Sequence, residues 1–343
     1  MYDVVTIMNT IRDNASAEYQ ARVPATTKTN IESVGAKITE FTATTNEFLG
    51  ALVNRIAMTV IETKTFNNPL AILKKGGVPL GRGIEQIYTN PSKAQAYNYS
   101  SEDLLKLVSA DVKTNFYNLN RQDKYPVSIT VEMLSQAFTS FTEMSRLIDS
   151  IVNALYSGDE IDEFILMKNL IKTAHTNNHI FTVNIYDENA ATINDETISK
   201  ELVKQIKTYS NLFTFPSSNY NKYKSVETTD SECVTWSPLK DQILILDSVV
   251  SSVLDVEVLA YAFNLDKAQI QTQTLKVDNF NGAPILGMLC DKSFFQVRDN
   301  MKKLTSFYNP DNLSTKYILH HWQTYGYSLL ANSIAFTYTP KTV

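Results

Sequence analysis

Glycine is concentrated in one short stretch of the chain, and this stretch restricts the path of the backbone more than any other. Four of the ten glycines fall within eight residues of the segment 74–89, which reads KKGGVPLGRGIEQIYT. Glycine adopts backbone conformations that other residues disfavour, so we expect sharp turning here. Lysine and arginine accompany the glycines, and apolar residues flank them. The segment therefore predicts a flexible, basic, glycine-rich tip.

The glycine spacing imitates a phosphate-binding loop, but the accompanying residues do not. Gly76 and Gly81 have the spacing G-x-x-x-x-G. Such a loop continues with lysine for the phosphates and serine or threonine for magnesium, whereas Arg82 and Gly83 stand here. Pro79 also removes one N–H from a loop that works by donating N–H groups. A nucleotide-dependent enzyme is therefore only an alternative interpretation.

The composition indicates a packed globular protein. Hydrophobic residues make up 43% and charged residues 20% of the chain. A net charge of −5 argues against nucleic-acid binding as the main activity, because phosphate binding needs a basic face. Cys233 and Cys290 have no metal-ligand spacing, and we expect buried free thiols in a reducing compartment. No signal peptide or membrane span is recognisable, so we expect a soluble protein without membrane contact.

The hydrophobic pattern predicts a mixed α+β fold. Apolar residues at helical spacing indicate a short helix over residues 4–11 and another from Phe48, which turns extended around residues 59–65. The polar run 21–30 between them reads as an extended arm. Further strands are expected from alternation and turn signals, at residues 180–186, 243–246, 275–277, 285–289, 294–297 and within 317–338. Asn281-Gly282 is the strongest of these turn signals. A helix capped by Asp255 is expected over residues 255–263.

A long helix is predicted near the middle of the chain. Ser140 and Glu143 fit a capping box, in which each side chain accepts a bond from the other's backbone. The apolar stripe behind them continues to Thr176, so an unbroken helix would contain about 36 residues and span about 54 Å. Gly158 can bend it. We interpret the four acidic residues that follow this glycine as a solvated face of the helix. They are Asp159, Glu160, Asp162 and Glu163.

Residues 66–129 predict a long hairpin. Two strand-like arms, at residues 84–89 and 112–119, bracket a loop-rich and partly helical tip around residues 100–108. An isolated two-stranded arm is marginal in water. We therefore expect either the rest of the chain or another subunit to cover it.

The histidines give no convincing catalytic or metal site. His175 and His179 have the i, i+4 spacing of two helix-borne ligands, but Thr176 replaces the glutamate of a metalloprotease, and the helix is expected to fray at residues 177–178. His320 and His321 are adjacent, so on a strand they face opposite ways and a structural role is expected. No nucleophile elbow is present. We predict no catalytic residue, no cofactor and no metal, with a metal enzyme using His175 and His179 kept as an alternative.

Three separate segments together resemble the major capsid proteins of the phi-29 group of small podoviruses. The matching segments follow one another in the same order as in that family and extend over nearly the whole chain. Residues 151–168 and 256–264 (VEVLAYAFN) also look similar. The three segments are Asn68-Pro69-Leu70 with KKGGVPLGRGIEQIYT; Asn120-Arg121-Gln122 with Tyr125; and His321-Trp322-Gln323-Thr324 with Ala331-Asn332 and Ala335-Phe336.

The resemblance implies the Hong Kong 97 phage-type capsid fold. The C-terminal immunoglobulin-like domain of the group's type member is expected to be absent. The implied domains are an N-terminal arm and entry helix at 1–65, an E-loop hairpin at 66–129, a peripheral domain at 130–188 and 301–343 with a spine helix at 140–176, and an axial domain at 189–300.

The function implied by the resemblance is assembly of a virion head, without catalysis. Pentamers and hexamers of this chain would enclose loosely held double-stranded DNA, with scaffold, portal and head-decoration proteins as partners and the host cytoplasm as the place of assembly. A portal or scaffold subunit is an alternative. The residues predicted to contact a neighbouring subunit at the E-loop tip are Lys74, Lys75, Gly76, Gly77, Pro79, Leu80, Gly81 and Arg82.

Overall fold

A computed structural model of the chain describes residues 4–59, 66–96, 107–185, 196–223, 232–253 and 274–338. Its α-helices are α1 Val4–Asp13, α2 Ala17–Arg22, α3 Ile31–Thr39, α4 Thr42–Thr59, α5 Val131–Ala137, α6 Phe141–Val152, α7 Gly158–Thr176, α8 Glu196–Phe213 and α9 Ser248–Val253. Its strands are β1 Lys74–Lys75, β2 Ile84–Thr89, β3 Val112–Tyr117, β4 Arg121–Thr130, β5 Phe181–Ile185, β6 Gln242–Asp247, β7 Thr274–Val277, β8 Ile285–Asp291, β9 Val297–Asn309, β10 Ser314–Thr324 and β11 Ser333–Tyr338. The predicted α+β class is confirmed.

The chain forms two compact units that each combine distant segments. The first unit comprises Met1–Asn68, Arg121–Glu163 and Asn300–Trp322. The second comprises Pro69–Asn120, Phe164–Asp299 and Gln323–Val343. These boundaries differ from the domain limits expected from the sequence, and β11 in particular belongs to the second unit rather than with residues 301–322.

In the first unit, helices pack against one face of a sheet. Helices α1 to α4 place their apolar sides in the core, and the predicted helices near residue 4 and at Phe48 are confirmed. The polar run 21–30, expected to be an extended arm, begins in the last residues of α2 and connects it to α3. Hydrogen bonds also hold the polar run 21–30 against α1. The Asn9 side chain accepts from the N–H of Thr26 and donates to its carbonyl. Gly35 allows α3 to approach closely, because a Cβ there would lie 2.3 Å from Phe138. The helices rest on β4 and β10 through Ile129, Tyr317 and Leu319.

The predicted long helix is helical from Phe141 to Thr176, but it is not regular. A π-helical turn at Asn153–Ser157 separates α6 from α7. Ser140 Oγ accepts the N–H of Glu143 at 3.2 Å, as the capping box predicted. The Glu143 carboxylate instead accepts a hydrogen bond from Arg146, so the structure shows the forward half of the capping box.

The second unit is built around a five-stranded sheet with the order β5-β11-β8-β6-β7. Alternate residues of β6 enter different cores: Leu244 and Leu246 pack with α8, while Ile243 and Ile245 pack with α7. Because both faces are covered, β6 and β11 read as nearly continuous apolar runs. Cys290 is buried in this sheet and Cys233 beside it, which confirms the expected free buried thiols.

Asn281 and Gly282 both have positive φ, which confirms the predicted turn. The proposed helix at residues 255–263 lies outside the described residues.

Candidate assembly surface

The glycine segment is fixed at its beginning and exposed towards its end. The two residues of β1 pair in parallel with Val297 and Arg298 of β9. Lys74 Nζ lies 3.0 Å from a carboxylate oxygen of Asp299, and the N–H of Val78 donates to the Asp299 carbonyl at 2.9 Å. Burial and the neighbouring positive charge of Arg298 lower the pKa of Lys75 to about 8. The chain itself thus holds the two predicted lysines.

The remaining predicted residues of the segment face solvent. Gly76, Gly77, Pro79, Gly81 and Arg82 are exposed. Gly81 has φ 82°, a conformation that favours glycine over residues with a Cβ.

Leu80 keeps 46% of its surface exposed. Among the residues that the structure describes, no acidic partner is recorded for the Arg82 side chain. The part of the segment that is free to meet another molecule is therefore its second half.

The glycine segment lies at the entrance of the hairpin and not at its tip. It immediately precedes β2, which pairs antiparallel with β3 from Ile84 opposite Tyr117 to Thr89 opposite Val112. The far end of the hairpin is the connection 90–111, and most of the predicted helical tip falls outside the described residues. The expectation of a glycine-rich tip was wrong because glycine marks a turn without telling which end of a hairpin it serves.

One face of the hairpin is covered by the rest of the second unit. Tyr117 is buried against Gly326, where a Cβ would lie 2.5 Å from the Tyr117 ring. Its hydroxyl donates to Gln86 at 2.7 Å, and burial raises its pKa to about 12. The Tyr88 hydroxyl donates to the carbonyl of Val234. The expected cover thus comes, for this face, from the same chain.

The opposite face of the hairpin carries uncovered apolar side chains. Phe116 is 64% exposed, Ile87 60% and Val112 48%. Glu85 lies directly opposite Phe116 in the register. Exposed apolar patches on soluble proteins mark interaction sites. Sequence reasoning did not single out these residues, although their alternation with Ile84 and Tyr117 along the strands could have indicated a second face.

A small pocket adjoins the glycine segment. Its volume is about 410 Å³. Aliphatic side chains and the stems of lysines line it, and Ile72 at its edge is 67% exposed. Such a pocket suits one apolar side chain next to a carboxylate. The lining residues are Ile72, Leu73, Lys74, Lys75, Ile243, Leu275 and Lys292.

In the first unit, Asp159 is not part of a solvated face. Its side chain is fully buried, and Glu163 is buried as well with Asn68 Nδ2 3.2 Å from its carboxylate. Three basic groups surround the Asp159 carboxylate: His321 Nδ1 at 2.6 Å, Lys302 Nζ at 2.8 Å and Arg121 Nη2 at 3.3 Å. The prediction of a solvated face fails for Asp159 and Glu163, because an acidic run at a helix start cannot reveal partners that come from remote segments, whereas Asp162 is exposed as predicted.

The pKa of the Asp159 carboxyl is lowered despite its burial. Burial alone raises this pKa, but the hydrogen bond from His321 and the positive charge of Lys302 outweigh it. The carboxylate therefore stays ionised inside the first unit. It ties α7 to β4, β9 and β10 of that unit, which is a structural task and not a catalytic one.

The candidate enzymatic sites do not assemble. The glycine segment leads into a strand, whereas a phosphate-binding loop leads into a helix. Helix α7 ends at Thr176, and Asn178 has positive φ, so His179 leaves the helix as predicted and contacts the Tyr327 hydroxyl at 2.7 Å. His320 and His321 face opposite ways as predicted, His320 towards Thr305. Within the described residues, no helix combines the length and hydropathy needed to cross a bilayer.

Comparison with known proteins relates the chain to phage capsid proteins. The family described as Phi29-like phage major capsid protein matches residues 8–337. The major capsid protein of Bacillus phage PZA is 34% identical over 98% of this chain and 72% of its own length. That of Streptococcus phage Cp-1 is 30% identical over 98% of this chain and 94% of its own. The capsid structure of Staphylococcus phage Andhra superposes with a TM-score of 0.65 at 14% identity, covering 81% of this chain and 86% of that one.

Proposed function

The chain belongs to the Phi29-like phage major capsid proteins, and we propose that it assembles through pentamers and hexamers into a head shell that encloses double-stranded DNA. It is a structural protein of the phage capsid, with the Hong Kong 97-type fold. Assembly in the host cytoplasm, and cooperation with scaffold, portal and head-decoration proteins, belong to the proposal.

The outer face of the β2–β3 hairpin carries this proposal. Phe116 and Ile87 expose most of their surface to water, while the other face of the same hairpin is packed and hydrogen-bonded. An apolar face of this kind gains stability when a second copy covers it, because burying apolar surface is worth roughly 25 cal/mol per Å². Each contact is small, and a closed shell repeats it many times.

The exposed half of the glycine segment extends the same surface. Leu80 and Arg82 are available to a neighbour, with Leu80 offering apolar area and Arg82 a charge for an acidic partner. Lys74 and Lys75 contribute less directly, because their first partners, Asp299 and the Ser293 carbonyl, lie in the same chain. We therefore propose all eight predicted residues as an inter-subunit contact, in which Leu80 and Arg82 meet the neighbour directly and the two lysines contribute less.

Electron microscopy of the chain co-expressed with its neighbouring phage genes tests the proposal. We expect closed shells, or rings of five and six subunits, from the natural sequence. Phe116→Asp should abolish them while the subunit remains folded by circular dichroism. Phe215→Asp is the matched control, because Phe215 is also 64% exposed and belongs to the segment after α8 and not to the hairpin strands.

The outcomes separate the parts of the proposal. Only small particles from the natural sequence, in the presence of all neighbouring genes, would contradict shell assembly. Normal shells from Phe116→Asp would contradict the role of the hairpin face. Equal loss in both variants would mean that any exposed aromatic matters and that the hairpin has no special part.

A further inference from the structure

We propose that the outer face of the β4, β9 and β10 sheet in the first unit binds the phosphate backbone of packaged duplex DNA. In that unit β10 lies between β9 and β4. The inference rests on the proposed function for the presence of DNA, and it names the surface that meets it.

Two observations show which side chains share this face. Tyr125 and Val127 of β4 and Leu304 of β9 pack against the helical core, so their neighbours along each strand point the other way. Thr305 and His320 contact each other at 2.9 Å on that other side. The outer face consists of Gln122, Lys124, Pro126 and Ser128 of β4, Lys303, Thr305 and Phe307 of β9, and Lys316, Ile318, His320 and Trp322 of β10.

The charges of the sheet are segregated between its two sides. The outer strand positions include three lysines and no aspartate or glutamate. The carboxylates Asp123 and Asp159 instead lie on the inner side, where both contact Arg121. A basic face therefore stands out on a chain with a net charge of −5.

The three lysines are available to a ligand. Lys124 and Lys303 are exposed and Lys316 is partly exposed. Throughout the described ranges, none of the three has a recorded ion pair, hydrogen bond or ring contact. Lysines that were needed for the fold would show such partners, as Lys302 does with Asp159 at 2.8 Å.

Duplex DNA fits this face better than another protein. Lysine is depleted at protein–protein interfaces, whereas it contacts phosphates readily as a point charge. Strands lie about 4.8 Å apart, so β4 and β9 lie roughly 10 Å apart on the two sides of β10. Along that distance, duplex DNA carries about six negative charges. Threonine, serine and glutamine beside the lysines add hydrogen-bond donors for phosphate oxygens.

The number of lysines sets the affinity for DNA and its dependence on salt. Neutralising about three phosphates gives a slope of log affinity against log salt of about −2.7, so affinity falls roughly 40-fold between about 50 and 200 mM salt. A single subunit thus holds DNA weakly. Many subunits in one shell would hold the packaged DNA loosely at many points. They would make no base contacts that favour a particular sequence.

Binding of a short fluorescein-labelled DNA duplex to the purified full chain tests the proposal by fluorescence anisotropy across a salt series. The triple variant Lys124→Gln, Lys303→Gln, Lys316→Gln should lose most of the affinity and flatten the salt slope. Lys28→Gln, Lys93→Gln, Lys276→Gln is the matched control, because it removes the same charge from exposed lysines elsewhere and should keep the slope. Lys303→Gln alone should reduce the slope by about 0.9 and remains informative if the triple variant misfolds.

Equal binding by the natural chain and the sheet variant would overturn the proposal, and so would equal loss in the control. A folded sheet variant that no longer forms shells in the absence of DNA would also overturn it, because the face would then dock protein. These results differ from failure of the proposed function, in which the natural chain forms no shell at all.

Amine labelling of DNA-filled and emptied shells gives an independent readout. We expect Lys124, Lys303 and Lys316 to be protected in filled shells and labelled in emptied ones. Protection in both would place the face between subunits and contradict DNA binding, and labelling in both would place it away from the DNA.

Discussion

The five-stranded sheet and the β2–β3 hairpin belong to the same unit, yet the chain covers them very differently. Strand β6 is buried along almost its whole length, with α7 and α8 supplying apolar partners on its two faces. The hairpin has such cover on one face only, and Phe116 on the other remains 64% exposed. The sheet is completed within one chain, whereas the hairpin needs a second molecule to bury its apolar face.

Truncating the sheet core should have the largest effect on stability. Phe336 of β11 is fully buried and packs near Tyr209 of α8, with ring centroids 6.3 Å apart. Phe336→Ala should reduce the free energy of unfolding by about 3–5 kcal/mol, because it leaves a cavity on the covered face. Urea denaturation of the purified subunit measures it. A loss near that of a surface substitution would mean that the sheet is less self-contained than its burial indicates.

Loss of the buried Asp159 carboxylate should have an intermediate, pH-dependent effect on the free energy of unfolding. The folded pKa of Asp159 is lowered, so its contribution is fully present above the unfolded value of about 3.9 and is lost as pH falls through the folded pKa. Asp159→Asn should remove this part of the acid sensitivity. Urea midpoints measured from about pH 5 down to about pH 2.5 test it, and an unchanged slope in the variant would contradict the assignment.

Substitutions in the exposed part of the glycine segment should have the smallest effect on stability, although they should reduce assembly. Arg82→Glu and Leu80→Asp should change the free energy of unfolding by no more than about 0.5 kcal/mol, because both side chains face solvent. Shell yield by sedimentation should nevertheless fall. Unchanged yield would remove this segment from the assembly surface and leave the hairpin face alone.

The local patterns were informative where one segment decided the outcome. The stripe of Val4, Ile7, Met8 and Ile11 is buried as helical spacing predicted, and Ser140 caps the helix that follows it. Asn281-Gly282 turns as expected. Each of these depends on backbone preferences and side chains within a few residues, which periodicity and capping rules describe directly.

Other features could not be predicted because their partners come from distant segments. Asp159 looked solvated until β4, β9 and β10 brought Arg121, Lys302 and His321 to it. The glycine segment looked like a tip until β1 paired with β9. The same holds for β11, which joins a sheet with strands more than forty residues away along the chain.

The sequence by itself determined the mixed α+β class, the long helix, the two arms of the hairpin and, through its resemblance, membership of a capsid family. Only the tertiary structure decided which hairpin face is covered, where the glycine segment lies, which carboxylate is buried and that three lysines share one open sheet face. The reason is physical. Backbone preferences act over a few residues, whereas burial and ion pairing depend on which remote strands and helices fold against each other.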